Sequence, residues 1–277
     1  MISFIFFNIC HFIDPHFKTW SGKHFDYQGE CDLVLAYLPN FQNGVGLTVH
    51  VRTRNEGFYS IVSGAAFRVG NAIFEFDHQN IGKPEFYVDG VAIPELPFED
   101  EYFHVSFVTI VSETFGQVVD IYEVSLGNGS SINIEVMGMW AMLNINVKGQ
   151  DAKGSTGLSG NFPAGKMYAR DGKTNLGGDH NAYGSEWQVQ EDEPKLFRSI
   201  PNGHPQAPHD TCRLPKGDAH QYFRVNKREM WIKALRVCRS LKLSKEELRD
   251  CVFDVTVMEN VEIARAWWGN KRLSSTA

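Results

Sequence analysis

The sequence predicts a mainly β protein, an antiparallel β-sandwich or open barrel followed by a small α-helical module. Between residues 44 and 149, short strand-like runs recur about every 8 to 12 residues, with turn residues at the joints. Residues 226–241 and 244–257 instead carry apolar side chains at helical spacing. We therefore expect a β domain over residues 1–215 and a helical module over residues 216–277.

The composition is that of an ordinary folded protein. The 277 residues are 43% hydrophobic and 22% charged, and 20 Phe, 9 Tyr and 6 Trp suit broad packed sheet faces. A net charge of −6 favours neither nucleic acid nor an anionic membrane surface as partner. Because no apolar run approaches the roughly 18 to 20 residues of a membrane span, we expect no membrane insertion.

The first strands are predicted near the N-terminus. Residues 16–20 and 24–27 alternate apolar and polar side chains and are followed by Gly22 and Gly29, which is the pattern of two short strands with a tight turn. Residues 31–38 are more continuously apolar and predict a deeper strand. The apolar residues 2–10 predict a strand or a ragged start, since they lack the charged region and cleavage site of an export signal.

The middle of the chain contains two clear hairpin signals. Asp89-Gly90 and Asn128-Gly129 lie between short apolar runs and have the chemistry of type I′ turns. Asn128 also begins an Asn-Gly-Ser acceptor for N-glycosylation, which an exposed hairpin tip would suit. The strands predicted in this part are residues 46–53, 59–69, 72–76, 85–88, 104–111, 118–125, 131–137 and 141–147.

The pattern changes after residue 150. Residues 150–185 are rich in small and polar side chains without periodicity and predict a long structured loop, followed by a strand over residues 186–189. Residues 194–215 form a connector that contains several Pro and His. A capping box begins at Ser244 and starts the second predicted helix, and residues 258–268 predict a third.

The five cysteines bear on whether the protein is cytosolic or secreted. They show no CxxC or Cys/His ligand spacing, which argues against a structural zinc site. Composition alone leaves reduced thiols in a cytosolic protein and disulfides in a secreted one equally open. The cysteines are Cys10, Cys31, Cys212, Cys238 and Cys251.

Three segments together resemble one known family. Residues 14–38 read DPHFKTWSGKHFDYQGECDLVLAYL, residues 156–162 read TGLSGNF, and a Gly-x-Glu-Trp-x-Val run follows at residues 184–189. This order resembles a von Willebrand factor type D domain, and residues 250–255 resemble the cysteine-containing helical module that often follows such a domain. The resemblance implies a secreted or cell-surface glycoprotein module that is structural or adhesive and is not an enzyme. It also implies extracellular proteins or matrix polymers as partners, and leaves open that the chain is part of a larger multidomain protein.

The resemblance implies a disulfide pattern. In the family, the cysteine matched by Cys31 joins the one matched by Cys212, and we predict a second bridge from Cys238 to Cys251 in the helical module. Two family cysteines are replaced here by Thr156 and Ser159. Cys10 is thereby left without its usual partners, so disulfide-linked polymerisation is not expected.

Many type D domains bind calcium, and the resemblance carries this expectation to Asn161, Asp171 and Asp179. Two positions that are acidic in the family are Ser21 and Pro163 here. Because calcium takes about six to eight oxygen ligands, several of them carboxylate, this loss argues against a tight site. We expect no other cofactor.

Two further functions are weighed against the adhesive one. A carbohydrate-binding β-sandwich would need a planar row of exposed Trp or Tyr. A metal-dependent hydrolase would need His16, His24 and Asp26 to converge on an ion, although exposed polar residues on a hairpin explain all three. The sequence contains no HExxH, GxSxG, P-loop or GxGxxG motif, so we predict no enzyme.

Overall fold

The structure, a computed structural model, describes residues 4–8, 10–11, 15–80, 84–112, 117–261 and 263–264. Antiparallel strands make up most of the regular structure in these residues. In chain order the strands are β1 (Phe4–Asn8), β2 (Cys10–His11), β3 (His16–Lys18), β4 (His24–Asp26), β5 (Asp32–Leu38), β6 (Leu47–Asn55), β7 (Ser60–Val69), β8 (Ala72–Asp77), β9 (Glu85–Val88), β10 (Val91–Ala92), β11 (Phe98–Glu99), β12 (His104–Ser112), β13 (Gln117–Ser125), β14 (Ser131–Met137) and β15 (Trp140–Lys148).

These strands form two large sheets and a small one. The first sheet has the order β1-β15-β14-β13-β12-β11, and the second has the order β10-β9-β8-β7-β6-β5. Strands β2, β3 and β4 form the third sheet. The predicted mainly β, antiparallel and sandwich-like architecture is confirmed, and within the described part of the chain no sheet closes into a barrel.

The alternation of β6 explains how the second sheet buries one face. Leu47, Val49 and Val51 are fully buried in the apolar core, and the residues between them point to the opposite face. The same core contains Ile134 and Ile145 from the first sheet, so it draws side chains from both sheets. Burial of each such side chain contributes roughly 1.5–3 kcal/mol, which fixes the register of these strands.

Both hairpin signals correspond to tight turns. Asp89 and Gly90, between β9 and β10, have φ angles of 48° and 78°. Asn128 and Gly129, between β13 and β14, have φ angles of 55° and 74°. Two successive residues in the left-handed region are what a type I′ turn requires, and Asn, Asp and Gly tolerate that region best.

The helices are concentrated after residue 179. The two longest, α3 and α4, are the helices predicted over residues 226–241 and 244–257. The capping box at Ser244 is present: its Oγ accepts from Glu247 N at 3.2 Å, and the Glu247 carboxylate accepts from Ser244 N at 2.7 Å. Most of the third predicted helix lies outside the described residues. The helices are α1 (His180–Glu186), α2 (Ala219–Asn226), α3 (Arg228–Ser240) and α4 (Lys245–Val257), besides a 3₁₀ turn at Phe41–Gly44.

Two local predictions were wrong. The strand predicted over residues 186–189 is not formed, because α1 ends at Glu186 and Gln188 makes only an isolated bridge with Leu33. Helix α1 itself lies in the segment predicted as loop, and α2 was also not predicted. Each begins at an aspartate whose side chain accepts from a backbone N–H three residues on, Asp179 from Ala182 and Asp218 from Gln221.

The chain divides into two compact units. One consists of residues 1–108 and 120–215 and contains most of the strands. The other consists of residues 109–119 and 216–277 and contains α2, α3 and α4. The sequence-based division assigned residues 109–119 to the β domain instead.

Candidate ligand-binding site

The outer face of the second sheet is polar, in contrast to its core face. In β6, Thr48, His50 and Arg52 alternate with the buried apolar residues. Val34 lies opposite His50, and Arg68 lies opposite Thr48, so side chains from β5, β6 and β7 share this face. His50 and Arg52 are nonetheless only 1% and 2% exposed. A later part of the chain covers them.

That cover is residues 194–215, which we call the strap. Arg52 reaches it from the sheet: its Nη1 donates to Ser199 O at 2.9 Å, and its guanidinium carbon lies 4.0 Å from the centroid of the Phe197 ring. Arg52 also pairs with Asp32, with Nε–Oδ1 and Nη2–Oδ2 distances of 2.6 and 2.8 Å. His204, in the strap, donates through Nε2 to the same carboxylate at 2.9 Å. One buried polar network therefore joins β5, β6 and the strap.

The charge states of this network follow from its contacts. Burial alone would raise the pKa of Asp32. The hydrogen bonds and charges of Arg52 and His204 outweigh that effect and hold the pKa of the carboxyl group well below its usual range. Asp32 is therefore ionised at neutral pH and serves as the acceptor that holds the strap.

A second anchor lies further along the sheet. Arg198 N donates to the Glu75 carboxylate at 2.9 Å, and its Nη2 donates to Asp77 at 3.0 Å. The Arg198 guanidinium carbon is 3.8 Å from the centroid of the Tyr87 ring. Burial raises the pKa of Glu75, which is 3% exposed, even though Arg198 partly opposes the shift.

Between the outer face and the segment that leads into the strap lies a cavity of about 380 Å³. Its volume falls within the roughly 300–1,000 Å³ of small-molecule pockets. We call it the Arg68 cavity; its polar and aromatic walls include Tyr37, Thr48, His50, Arg68, Thr156 and Arg170.

Several polar groups of the Arg68 cavity have unused hydrogen-bonding capacity. Among the residues that the structure describes, none bonds or pairs with the side chains of Tyr37, Thr48, His50, Arg68 or Thr156. The backbones of Tyr37 and Thr156 donate to each other's carbonyls, at 2.9 and 3.0 Å, which fixes this rim of the cavity. The rim is rigid, while its side chains are available to a ligand.

Arg170 is different from Arg68 because its contacts are filled. Its Nε and Nη2 donate to the carbonyls of Glu186 and Gln188 at 2.9 and 2.8 Å, and its Nη1 pairs with Glu193. Its guanidinium carbon also lies 4.8 Å from the Trp187 ring centroid. Arg170 is thus a neutralised part of the wall, and Arg68 supplies the uncompensated positive charge.

His50 contributes a neutral imidazole. Burial is the main cause that lowers the pKa of His50, to about 3. The charges of Lys195, Arg68 and Arg170 act in the same direction, and Asp32 opposes them. At neutral pH the ring therefore offers one N–H donor and one nitrogen acceptor. His50 also borders a second cavity, of about 210 Å³, beneath the strap.

No model of a known protein family matches the chain, and no curated protein is significantly similar to it in sequence. Its site must therefore be interpreted from its own residues. None of the helices in the described ranges is long and apolar enough to span a bilayer.

The structure contains both predicted disulfides. Cys31 is bonded to Cys212 across a separation of 181 residues, and Cys238 is bonded to Cys251 between α3 and α4. Next to the first bridge, the backbones of Glu30 and Arg213 donate to each other at 2.9 and 3.1 Å, and their side chains form an ion pair. This bridge fixes the end of the strap to the start of β5. The side chain of Cys10 lies outside the described residues.

The three residues predicted to bind calcium are acceptors in separate local structures. Asn161 Oδ1 accepts from Lys166 N at 2.8 Å. The Asp171 carboxylate accepts from the backbone of Lys173 and from both the backbone and the hydroxyl of Thr174. Asp179 caps α1. No hydrogen bond in the described part of the chain joins one of the three to another, and calcium binding at these residues stays a prediction.

A lysine occupies the loop where the family resemblance would place a calcium ion. Lys23 Nζ donates to Gly177 O at 2.8 Å, in a cavity that Ser21, Gly165 and Lys166 also line. Two ammonium groups at this loop repel a divalent cation, and a lysine offers no ligand oxygen. The lining of this cavity therefore opposes a calcium ion beside Ser21.

The predicted glycosylation acceptor, Asn128, is exposed at the tip of the β13–β14 hairpin. Its side-chain oxygen accepts from Lys148 Nζ. Ser130, the third residue of the acceptor, is only 1% exposed. Modification at Asn128 stays a prediction.

The three residues of the hydrolase alternative lie on the third sheet. His16 Nδ1 is 2.6 Å from Asp26 Oδ1, and the two residues are opposite each other on β3 and β4. His24 instead lies opposite Lys18. Among the described residues, the ligand atoms of His16, His24 and Asp26 do not all lie within 4.8 Å of one another. The arrangement is a paired histidine and aspartate with His24 set apart.

The Arg68 cavity is not predicted by any pattern in the sequence. Its walls come from β5, β6, β7 and two later loops, and no short motif spans them. The only local signal is the alternation in LTVHVRT, which places Thr48, His50 and Arg52 on one face of β6.

Proposed function

We propose that this chain is a non-catalytic extracellular module, similar to a von Willebrand type D domain, that acts by associating with matrix polymers or other extracellular proteins. The observation that carries the proposal is the Cys31–Cys212 disulfide, which closes most of the β unit into one covalent loop. Disulfides of this kind persist in oxidising compartments and are rare in the cytosol of mesophiles.

The polar network under the strap supports a structural role for Asp32 and Glu75, two carboxyl groups with shifted pKa values. Asp32 is fully engaged by Arg52 and His204, and Glu75 by Arg198. Each of these carboxylates holds covering chain onto the sheet. Burial and these contacts together account for the pKa shifts of both carboxyl groups without a substrate.

The experiment is to isolate the protein from the cells that make it and to map its cysteines by peptide mass before and after reduction. We expect Cys31 joined to Cys212 and Cys238 joined to Cys251 in material recovered from outside the cells. Retention of the purified protein on deposited matrix from the same cells would then show association with that matrix. Folded protein with freely alkylated Cys31 and Cys212, found inside the cells, would contradict the proposal.

A second candidate function is sugar binding, favoured by the Arg68 cavity. The planar row of exposed rings that this function was expected to need is not formed by tryptophan in the described residues. Trp20, Trp140 and Trp187 are at most 9% exposed, and Trp231 is a single, half-buried ring on α3. Tyr37 is 42% exposed and lies at the rim of a cavity instead. A cavity with a single exposed aromatic ring at its rim suits a single sugar unit better than a flat polysaccharide surface. Calorimetric titration with a panel of sugars tests this function separately from the cysteine map.

A further inference from the structure

We propose that the Arg68 cavity binds a carboxylated sugar residue, a uronate, either free or as a unit of an acidic polysaccharide. The inference rests on the sugar-binding function above and names its ligand class. The cavity combines one uncompensated guanidinium, several unpaired hydroxyl and imidazole groups, and one exposed aromatic ring.

Arg68 supplies the recognition of the carboxylate. It is half-buried, and it makes no hydrogen bond or ion pair with any residue in the described part of the chain. A guanidinium group presents two parallel N–H donors that match the two oxygens of a carboxylate. Because Glu193 already neutralises Arg170, the cavity favours a ligand with a single negative charge.

The hydroxyls of the sugar would meet Thr48, Thr156 and His50. The threonine hydroxyls can each donate and accept, and the neutral His50 ring offers one donor and one acceptor. His50 is 1% exposed and lines the cavity, and its ring nitrogens bond to no described residue. A ligand rich in hydroxyl groups would fill this unused capacity.

Tyr37 supplies the apolar contact. Its ring is 42% exposed at the rim, and its backbone is held by the paired hydrogen bonds with Thr156. A sugar ring has an apolar face of C–H groups that can lie on such a ring. Tyr37 therefore favours a ring-shaped ligand that has an apolar face and polar groups around the edge of its ring.

Other ligand classes fit the Arg68 cavity less well. An apolar molecule would leave the five polar side chains desolvated and unpaired. A metal ion would be repelled by Arg68, and a neutral sugar would leave that charge without a partner. A peptide carboxylate would satisfy Arg68, but it would not supply the hydroxyls that Thr48 and His50 can bond.

The experiment is calorimetric titration of the full chain, with its disulfides intact, at neutral pH and low salt. The probes are D-galacturonate, a short oligogalacturonate, D-galactose, acetate and a short peptide with a free C-terminal carboxylate. We expect galacturonate or its oligomer to bind at least tenfold more tightly than galactose, acetate or the peptide. Binding of the monosaccharide would show that a free uronate is a sufficient ligand. Binding of the oligomer alone would show that the ligand is an acidic polysaccharide. The affinity should fall as the ionic strength rises.

Two variants test the roles assigned to Arg68 and Thr48 in binding galacturonate. Arg68→Gln should lower the affinity for galacturonate at least tenfold and leave the melting temperature unchanged, because Arg68 has no partner to lose. Thr48→Val keeps the side-chain shape and should weaken galacturonate binding without changing that of acetate. The matched control is Arg224→Gln, at an exposed arginine of α2, which should change neither quantity.

The outcomes separate this inference from the functions on which it rests. Equal binding of galacturonate by the wild type and Arg68→Gln, or preferential binding of the peptide, would overturn it. Binding of galactose as tight as that of galacturonate would overturn the acidic specificity and leave sugar binding standing. If no sugar binds, both the uronate specificity and the sugar-binding function are wrong. The proposed extracellular function is tested separately, by the cysteine map.

Discussion

Arg52 and Asp32 form a two-point ion pair beneath the strap, with Nε–Oδ1 and Nη2–Oδ2 distances of 2.6 and 2.8 Å. Removal of one partner leaves the other charge buried. We therefore expect Arg52→Met to lower the free energy of unfolding by about 3–5 kcal/mol, measured by urea denaturation at pH 7. The control is Arg54→Met, which breaks a pair with Glu56 whose two side chains are 30% and 29% exposed, and it should cost about 1 kcal/mol or less. Equal effects of the two substitutions would show that the buried pair does not hold the strap.

The lowered pKa of His50 predicts a loss of stability in acid. In the folded protein its pKa is about 3, whereas in the unfolded chain it is about 6.5. Between these two values the unfolded chain binds a proton at this position and the folded protein does not, so stability falls as the pH falls. The contribution of one such group is up to about 1.4 kcal/mol per pH unit. We expect His50→Gln to reduce the slope of unfolding free energy against pH between pH 6 and pH 4.

The comparison for this slope is His209→Gln, at an exposed histidine of the strap. Urea denaturation of the wild type and both variants at several pH values gives the three slopes. The wild type and His209→Gln should share one slope. A parallel dependence for His50→Gln would mean that His50 gains its proton in the folded protein as easily as in the unfolded chain.

The sequence predicted the sheet strands well because their signal is local. In β6 the alternation of Leu47, Val49 and Val51 with polar residues sets both the strand and its buried face. Helix α1 was missed because its seven residues, HNAYGSE, carry no apolar period and only the cap at Asp179 marks its start. Tertiary contacts therefore decide its conformation.

The Arg68 cavity could not be predicted because its walls meet only after folding. The alternation in β6 places Thr48 and His50 on the face away from the core, but it does not tell which chain covers that face. Thr156 and Arg170 reach the cavity from loops more than a hundred residues later in the chain. The Cys31–Cys212 pair could be predicted because the family resemblance supplied its partners. The Cys238–Cys251 pair could be predicted because the two cysteines lie 13 residues apart on adjacent predicted helices.

The Cys31–Cys212 bridge should stabilise the β unit more than the Cys238–Cys251 bridge stabilises the helical one. The first closes 181 residues and the second 13, and the chain-entropy model assigns about 5 kcal/mol to a loop of the first length and about 3 kcal/mol to the second. We expect the double Cys→Ser variant at Cys31 and Cys212 to lower the urea midpoint followed by tryptophan fluorescence. The matched control is the double Cys→Ser variant at Cys238 and Cys251. A larger effect of the control on the same transition would contradict this order.

Expression through a eukaryotic secretory pathway should add a glycan at Asn128. The residue is exposed at a hairpin tip, so its side chain is accessible to the transferase. We expect the intact mass to fall by one glycan on treatment with an N-glycanase. Asn128→Gln should lack that change, and so should Ser130→Ala, which removes the acceptor motif but keeps the asparagine. A secreted wild-type protein of unmodified mass would contradict the prediction.

Gly184 packs directly against the ring of Tyr27, and this contact gives a sharp test of the packing around α1. A Cβ atom at residue 184 would lie 2.1 Å from two ring carbons of Tyr27, which is itself fully buried. The Tyr27 hydroxyl is also held, by a 2.9 Å hydrogen bond with Ser185, so the ring cannot move away freely. Gly184→Ala should therefore lower the free energy of unfolding by about 1–3 kcal/mol or more, measured by urea denaturation. The matched control is Gly178→Ala, where a Cβ would meet no atom within 4 Å and the free energy should change by less than about 0.5 kcal/mol. If Gly184→Ala is as stable as Gly178→Ala, the ring of Tyr27 does not pack against residue 184.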